Sequence, residues 1–328
     1  MKILILRFSS IGDIVLTTPV IRILKKQLPG ACLHYATKPN FEALVAANPY
    51  LDKVHYLTGN LADLVAELRQ EKFDYVVDLH NNLRSRAIRF KLGVPGASFS
   101  KLNIRKWLLV NLKINKMPPV HIVDRYIATA KKLGVKNDHA GLDYFIPAAD
   151  EVPITSLPVT HQQGYVAFAI GAQHATKRLP TERIIELCAK INKPIILLGG
   201  KEDAATGEKI QEYFEKQSQI TDNEKRTTIY NACGNYSLNQ SASLVRQAEV
   251  VFSHDTGLMH VAAAFKKKIY SIWGNTVPEF GMYPYLTEYN VLERNNLPCR
   301  PCSKIGYPEC PQGHFKCMRE IDFSGVNI

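Results

Sequence analysis

Asp255, Thr256, Gly257 and His260 stand close together in a 328-residue chain, just after the β-prone run Val250-Val251-Phe252. The pattern predicts a strand that ends, turns on Asp255-Thr256-Gly257 and opens a helix through Leu258, Met259, Val261 and Ala262 to Ala264. The first turn of a helix carries free backbone N–H groups and a partial positive charge, so it suits an anion such as a phosphate. Gly257 lets such a group approach the backbone, Thr256 adds a hydroxyl donor, and His260 lies one turn on along the same helix face. The same octapeptide is equally read as an ordinary N-cap, Asp255, followed by a partly buried helical histidine. The rest of the chain has to decide.

A second chemical cluster lies near the C-terminus. Cys299, Cys302, Cys310 and Cys317 are spaced C-x2-C-x7-C-x6-C, with His314 among them. Thiols at this density suit a structural Zn²⁺ site with no open coordination position. The second pair is not C-x2-C, so free thiols fit the cluster better. Disulfides are disfavoured in a reducing compartment. Cys32, Cys188 and Cys233 fall inside element-like contexts and are read as reduced thiols.

The elements that must position these residues alternate along the chain. Lys2 to Phe8 is a nearly unbroken Ile/Leu run, as expected of a strand covered on both faces. A polar turn, Ser9-Ser10-Ile11-Gly12-Asp13, follows. The next helix has two possible starts, Asp13 or Thr18 with Pro19 at the first helical position. Strands are then expected at 33–37, 53–57 and 73–79, with helices at 41–47, 61–70 and 83–92. A second series has strands at 165–170, 194–198, 227–231, 248–252 and 268–273, with helices at 181–191, 208–215 and 238–248. Such alternation implies parallel sheets with right-handed crossovers. The proline-marked stretch 147–153 is read as the linker, which gives one Rossmann-like domain over 1–155 and another over 156–328.

Open α/β sheets bind ligands at the carboxyl ends of their strands, and two such domains suggest a cleft between them. The polar segments 9–13, 78–82, 171–177, 199–203 and 254–257 all follow strands and would line it. Ser9, Ser10, Gly12, Asp13, His80, Asn81, Gln173, Lys177, Glu202, Asp203, Asp255, Thr256, Gly257 and His260 are therefore candidate site residues.

Composition narrows the class. A hydrophobic fraction of 46% with 22% charged residues is that of a globular protein. No apolar run approaches the ~20 residues needed to span a bilayer. The N-terminus lacks the features of a signal peptide, so a cytoplasmic location is expected. The net charge of +11 favours an acidic partner. Arg84, Arg86, Arg89, Lys91, Lys101, Arg105 and Lys106 crowd one stretch with Phe90, Trp107 and Leu108 among them, which suits an anionic lipid-linked ligand or a solvated helix face. Neither domain carries Gly-x-Gly-x-x-Gly after its first strand, and there is no Walker A motif, which counts against a nicotinamide-dependent dehydrogenase.

Arg7-Phe8-Ser9-Ser10-Ile11-Gly12-Asp13 with Thr18-Pro19 resembles the N-terminal signature of family 9 glycosyltransferases, the ADP-heptose:lipopolysaccharide heptosyltransferases. His254-Asp255-Thr256-Gly257-Leu258-Met259-His260 with 262–264 resembles their donor-site signature. Trp273-Gly274-Asn275-Thr276 and the tail around Cys310, Gly313, His314 and Cys317 are also similar to family segments. The resemblance spans nearly the whole chain. It implies a GT-B fold, with acceptor on the first domain and ADP-sugar on the second, and inversion at the anomeric carbon. It implies that Asp13 is the general base and that Lys177, in Lys177-Arg178-Leu179-Pro180, meets the donor phosphates. Leu179 stands where the family often has Trp. The resemblance also places a ribose-binding carboxylate at Glu202 or Asp203.

The expected enzyme therefore takes an ADP-sugar and a lipid-linked oligosaccharide acceptor and needs no catalytic cofactor. It would work at the inner face of the inner membrane. Ser9, Ser10, Gly12, His80, Asn81, Arg84, Arg86 and Arg105 are expected on the acceptor side, and Gln173, Lys177, Glu202, Asp203, Asp255, Thr256, Gly257 and His260 on the donor side. No nucleic-acid partner is expected on this reading. The competing readings are a basic nucleic-acid-binding protein with a C-terminal zinc module, and a nucleotide-dependent dehydrogenase.

Overall fold

The structure, a computed structural model, describes residues 1–220, 227–326 and 328, and of 218–220 the backbone only. It holds two compact units. The first comprises 1–103 and 119–145, the second 104–118 and 146–328. The division thus falls near 145 rather than 155, and the segment 104–118 belongs with the C-terminal unit instead of the N-terminal one.

The first unit carries five parallel strands: β1 (Lys2–Leu6), β2 (Cys32–Thr37), β3 (Lys53–Tyr56), β4 (Tyr75–Asp78) and β5 (Gly96–Ser98), in the order β3-β2-β1-β4-β5. Central β1 is apolar and buried from Ile3 to Leu6, as befits a strand covered on both faces of its sheet. Leu4, Leu6, Phe8, Val76 and Ile88 pack with Leu64 and Leu68 of the helix Leu61–Gln70. Of the two helix starts expected after β1, the one at Thr18 holds to within a residue, with Thr17 as the cap, whereas Asp13 is not a cap but lies in the first turn behind Ser10. A short helix Ile11–Val15 holds Asp13, and Thr18–Gln27 follows with Pro19 in its first turn. The helix expected at 41–47 is instead a 3-10 turn, Pro39–Leu44.

The second unit carries six parallel strands: β6 (Val166–Ala169), β7 (Ile195–Leu198), β8 (Ile229–Asn231), β9 (Val250–His254), β10 (Lys268–Trp273) and β11 (Tyr289–Glu293), in the order β11-β10-β9-β6-β7-β8. Its core is built on Val166, Phe168, Leu197, Phe252 and Ile272, with Phe252 and Tyr270 stacked at 4.6 Å. Met318, Ile321, Phe323 and Val326 of the closing segment enter this same core. Leu109 of the helix Asn103–Leu112 packs on Val277 and Phe280, which explains why 104–118 joins this unit.

Two strands escape the sequence pattern. β5 reads Gly-Ala-Ser, and a Cβ at Gly96 would stand 2.5 Å from the Val76 carbonyl oxygen, so close strand approach decides that residue instead of β-propensity. β11 is an edge strand whose first two residues are exposed.

Candidate active site

In the first unit β1 and β4 are parallel neighbours, with Ile3 opposite Tyr75 and Leu6 opposite Asp78. The segments that follow them therefore leave the same edge of the sheet side by side. Arg7 ties them together. Its Nε donates to Ser9 O at 2.7 Å, and its Nη1 to Leu79 O at 2.6 Å and to the Tyr126 hydroxyl at 3.0 Å. Nη2 lies 2.7 Å from Asp13 Oδ1. Burial works against the Arg7 charge, but Asp13, Tyr126 and Tyr35 outweigh it and hold the guanidinium above its ordinary pKa. The second Asp13 oxygen accepts from Ser10 Oγ at 2.8 Å. Asp13 is thus a fixed carboxylate in a short helix, with its side chain 20% exposed.

Asp78, fully buried, shapes the neighbouring turn by accepting from the backbone N–H of His80 and Asn81 and from Ser85 Oγ. Asn81 takes a left-handed φ of 47°, a conformation asparagine tolerates. Burial, with Arg7 and Lys101 nearby, lowers the His80 pKa to about 4, so its ring is neutral near pH 7. Arg86 Nε donates to Asn81 Oδ1 at 2.9 Å. The sheet edge thereby gathers Ser9, Ser10, Gly12, Asp13, His80 and Asn81. Arg84 and Arg86 follow on the helix Leu83–Leu92, both exposed. Arg105 lies on a helix of the second unit.

In the second unit β10, β9, β6 and β7 are successive neighbours, so their carboxyl ends present four loops along one edge. Asp255 is the hub. Lys177 Nζ lies 2.6 Å from its Oδ2 and 3.2 Å from its carbonyl oxygen, and Thr276 Oγ1 donates to Oδ2 at 2.9 Å. One carboxylate thus joins the loops after β6, β9 and β10. Thr256, not Asp255, is the N-cap of the helix Gly257–Ala264, and its hydroxyl makes no capping bond. That hydroxyl lies 3.3 Å from Ser253 Oγ. His260, one turn into the helix, is 2% exposed. His254 is fully buried and its Nε2 accepts from Leu179 N at 3.0 Å; burial pushes its pKa down to about 3. Leu179 itself is buried in the core of this unit.

Glu202 and Asp203 part company. Asp203 is buried, accepts from Gly200 N at 2.9 Å and faces Arg178 at 3.5 Å. A Cβ at Gly171 or Gly199 would collide with its side chain, so the two glycines give it room. Burial raises its pKa despite these partners. Glu202 is exposed, as is Gln173.

The cysteine-bearing segment straps these loops. Tyr307 N donates to Thr176 Oγ1 at 2.8 Å, Cys302 N to Asn275 O at 3.1 Å, and Arg300 Nη2 to Thr276 O at 3.0 Å. All seven cysteines are free thiols. Cys299 Sγ lies 3.9 Å from His314 Nε2. Burial and neighbouring thiols raise the Cys302 pKa to about 11 and the Cys317 pKa to about 12. Among the described residues, the metal-competent group with all donor atoms within 4.8 Å is His34, His55 and Glu71, not the cysteines.

Residues 61–311 match the family described as Glycosyltransferase family 9 (heptosyltransferase). The chain belongs to glycosyltransferase family 9. Lipooligosaccharide heptosyltransferase 2 of Haemophilus ducreyi is 28% identical to it over 98% of this chain and 96% of that one. The solved Escherichia coli ADP-heptose lipopolysaccharide heptosyltransferase II superposes with a TM-score of 0.67 at 20% identity, covering 98% of both chains. Escherichia coli heptosyltransferase WaaC with ADP superposes at 0.64 and 21%, covering 93% of this chain and 96% of that one. The GT-B fold implied by the resemblance is thereby shown. The protein is a glycosyltransferase, and the nucleic-acid and dehydrogenase readings have no support.

Within this family 9 glycosyltransferase, sequence reasoning passed over three structural partners of the candidate site. Arg7 and Thr276 were quoted only as parts of motifs, and Arg178 as a neighbour of Lys177. A charged residue closing an apolar strand was the available signal for Arg7. Thr276 meets Asp255 only through the pairing of β9 with β10, which no local pattern encodes.

Proposed function

We propose that this glycosyltransferase moves a heptose, with inversion, from an ADP-sugar to a lipopolysaccharide-core or similar anionic glycolipid acceptor. The observation that carries the donor half is the Asp255 hub. Its carboxylate is occupied by Lys177 and Thr276, which leaves the Thr256 hydroxyl and the amides at the start of Gly257–Ala264 for a pyrophosphate. Asp255 orders the turn, and Lys177 supplies positive charge beside it.

Asp13 serves as the general base. It takes the acceptor hydroxyl proton as that oxygen bonds to the anomeric carbon, while the bond to the phosphate oxygen breaks and ADP leaves with the electron pair. The anomeric centre carries oxocarbenium character, and the helix N-terminus and Lys177 stabilise the departing charge. Ser9, Ser10, Gly12, His80, Asn81, Arg84 and Arg86 bind the acceptor, joined by Arg105. Gln173, Glu202 and His260 complete the donor site. No cofactor is required.

The enzyme works in the cytoplasm, peripheral to the inner face of the inner membrane. Exposed Leu83 and Phe90 lie beside Arg84, Arg86 and Lys91 on one helix, and exposed Ile104 and Trp107 beside Arg105 on another. Such faces suit an anionic bilayer surface. Cys299, Cys302, Cys310 and Cys317 are the candidate ligands for a structural Zn²⁺, which would firm the strap over the donor loops.

A thermal-shift panel of nucleotide sugars tests the donor class. ADP-heptose should stabilise the protein selectively over UDP-, GDP- and CMP-sugars. Equal shifts from all four would overturn the ADP-sugar assignment.

A further inference from the structure

His34 and His55 form a buried imidazole pair on β2 and β3, at the β3 side of the first sheet. His34 sits on β2 and His55 on β3, and the register sets Ala36 opposite His55 and His34 opposite Lys53. His34 Nδ1 and His55 Nε2 are 2.9 Å apart. The helix Leu61–Gln70 and its C-cap bring two carboxylates to the pair, Glu67 and Glu71, one helical turn apart. Glu67 bonds His55 Nδ1. Glu71 Oε2 lies 3.9 Å from His34 Nδ1. On the other side of the His34 ring, Nε2 lies 3.4 Å from Cys32 Sγ.

These contacts determine where the protons sit. His55 Nδ1–H donates to the Glu67 carboxylate, so His55 Nε2 carries a lone pair, and His34 Nδ1–H donates to it. A chain of two buried imidazoles, tilted 35° to one another and oriented by a carboxylate at one end, is more than core packing requires. His34 Nδ1, His55 Nε2 and Glu71 converge, with their donor atoms all within 4.8 Å of one another.

We propose that His34, His55 and Glu71 bind a divalent transition-metal cation of the Zn²⁺ class. Two imidazole nitrogens and one carboxylate oxygen form a borderline ligand set that suits Zn²⁺, whereas Mg²⁺ and Ca²⁺ favour all-oxygen sites. Glu67 fills the outer role, holding His55 in the tautomer that leaves Nε2 open to the metal. Binding moves the His34 proton from Nδ1 to Nε2, where Cys32 Sγ accepts it, so no proton need leave the site. Lys2 Nζ, 2.9 Å from Glu71 Oε2 and one-third exposed, swings to solvent as the cation takes that oxygen. Lys53 keeps the other oxygen at 2.5 Å and balances its charge. The cation would pin β2, β3 and the end of the helix together, a structural role apart from sugar transfer.

Co²⁺ titrated into the chelator-treated full chain tests this, because its visible spectrum reports the ligand type. The expected result is a tetrahedral nitrogen/oxygen spectrum without sulfur-to-cobalt charge transfer, displaced by Zn²⁺ and indifferent to excess Mg²⁺. Any binding at the cysteine strap carries the sulfur band and is read separately. His55→Asn should abolish the nitrogen/oxygen signal. Glu67→Gln, at a half-exposed position that spares the fold, should weaken it by about 10- to 100-fold. Cobalt binding with sulfur character alone, or affinity unchanged in Glu67→Gln, would overturn the proposal.

Discussion

Arg7 Nη2 and Asp13 Oδ1 are 2.7 Å apart, and the same guanidinium also holds Ser9 O, Leu79 O and the Tyr126 hydroxyl. A single buried arginine thus fixes the proposed base relative to both loops at the sheet edge. It also holds the Asp13 carboxylate in place, with its other oxygen on Ser10 Oγ at 2.8 Å.

Asp13→Asn removes the proton acceptor while keeping an oxygen for Ser10. General-base catalysis contributes roughly 10²–10⁴-fold, so kcat should fall by about that factor. Donor affinity should change little, because the donor site is built by the second unit. Arg7 retains three other partners, so circular dichroism should report a folded protein with a lower Tm. A folded variant with wild-type turnover would remove Asp13 from the base role.

The Asp255 hub separates binding from charge. Hydrogen bonds to charged groups contribute about 1.5–3 kcal/mol, so Lys177→Met should weaken ADP binding about tenfold to a hundredfold and lower kcat too, because Lys177 faces the leaving phosphate. Thr276→Val should weaken binding less and leave kcat nearly unchanged. Since both side chains meet one carboxylate oxygen, their effects should not add, and the double variant should reveal a coupling of about 0.5–3 kcal/mol by calorimetry. Strict additivity would show that the hub does not act as a unit.

Much of this was legible in the sequence because apolar runs and polar strand ends are local signals. The Ile/Leu run before Ser9 marked β1, and Val250-Val251-Phe252 marked β9. The helix Leu83–Leu92 falls where its pattern placed it. Long-range decisions were not legible. The helix Asn103–Leu112 looked like part of a basic stretch, and its assignment to the second unit depends on Leu109 finding Val277 and Phe280. The choice between Glu202 and Asp203 required knowing which side chain Gly171 and Gly199 make room for. The His34–His55 pair depends on strand register, which neighbouring residues alone do not reveal.

Stability should fall on mild acidification, with His254 a main cause. An unfolded histidine protonates near 6.5, whereas burial depresses folded His254 to about 3. Between these values the unfolded chain binds more protons, so stability is complete above about pH 7 and is lost as pH falls below 6.5. His254 should contribute a slope of about 1.4 kcal/mol per pH unit in that window. His80, at about 4, adds a smaller term because solvent reaches it. His254→Gln keeps an acceptor for Leu179 N and removes the titration. Urea midpoints measured from pH 7 down to about 5 should therefore fall less steeply in this variant; an unchanged slope would rule out His254 as a source.

Glu202 and Asp203 should separate by the kind of defect each substitution causes. Asp203→Ala leaves Gly200 N without its acceptor and opens space beside Gly171 and Gly199, so it should destabilise the protein by about 1–3 kcal/mol. Glu202 is exposed at the same strand end, and Glu202→Gln should leave stability within about 0.5 kcal/mol. If Glu202 meets the donor ribose, Glu202→Gln raises the KM for ADP-sugar without lowering the Tm, and a 2′-deoxyribose donor analogue shows little further loss in that variant. The reverse pattern, with intact donor binding in Glu202→Gln and a selective ribose defect in folded Asp203→Asn, would transfer the role to Asp203 and require its pairing with Gly200 and Arg178 to open when the donor binds.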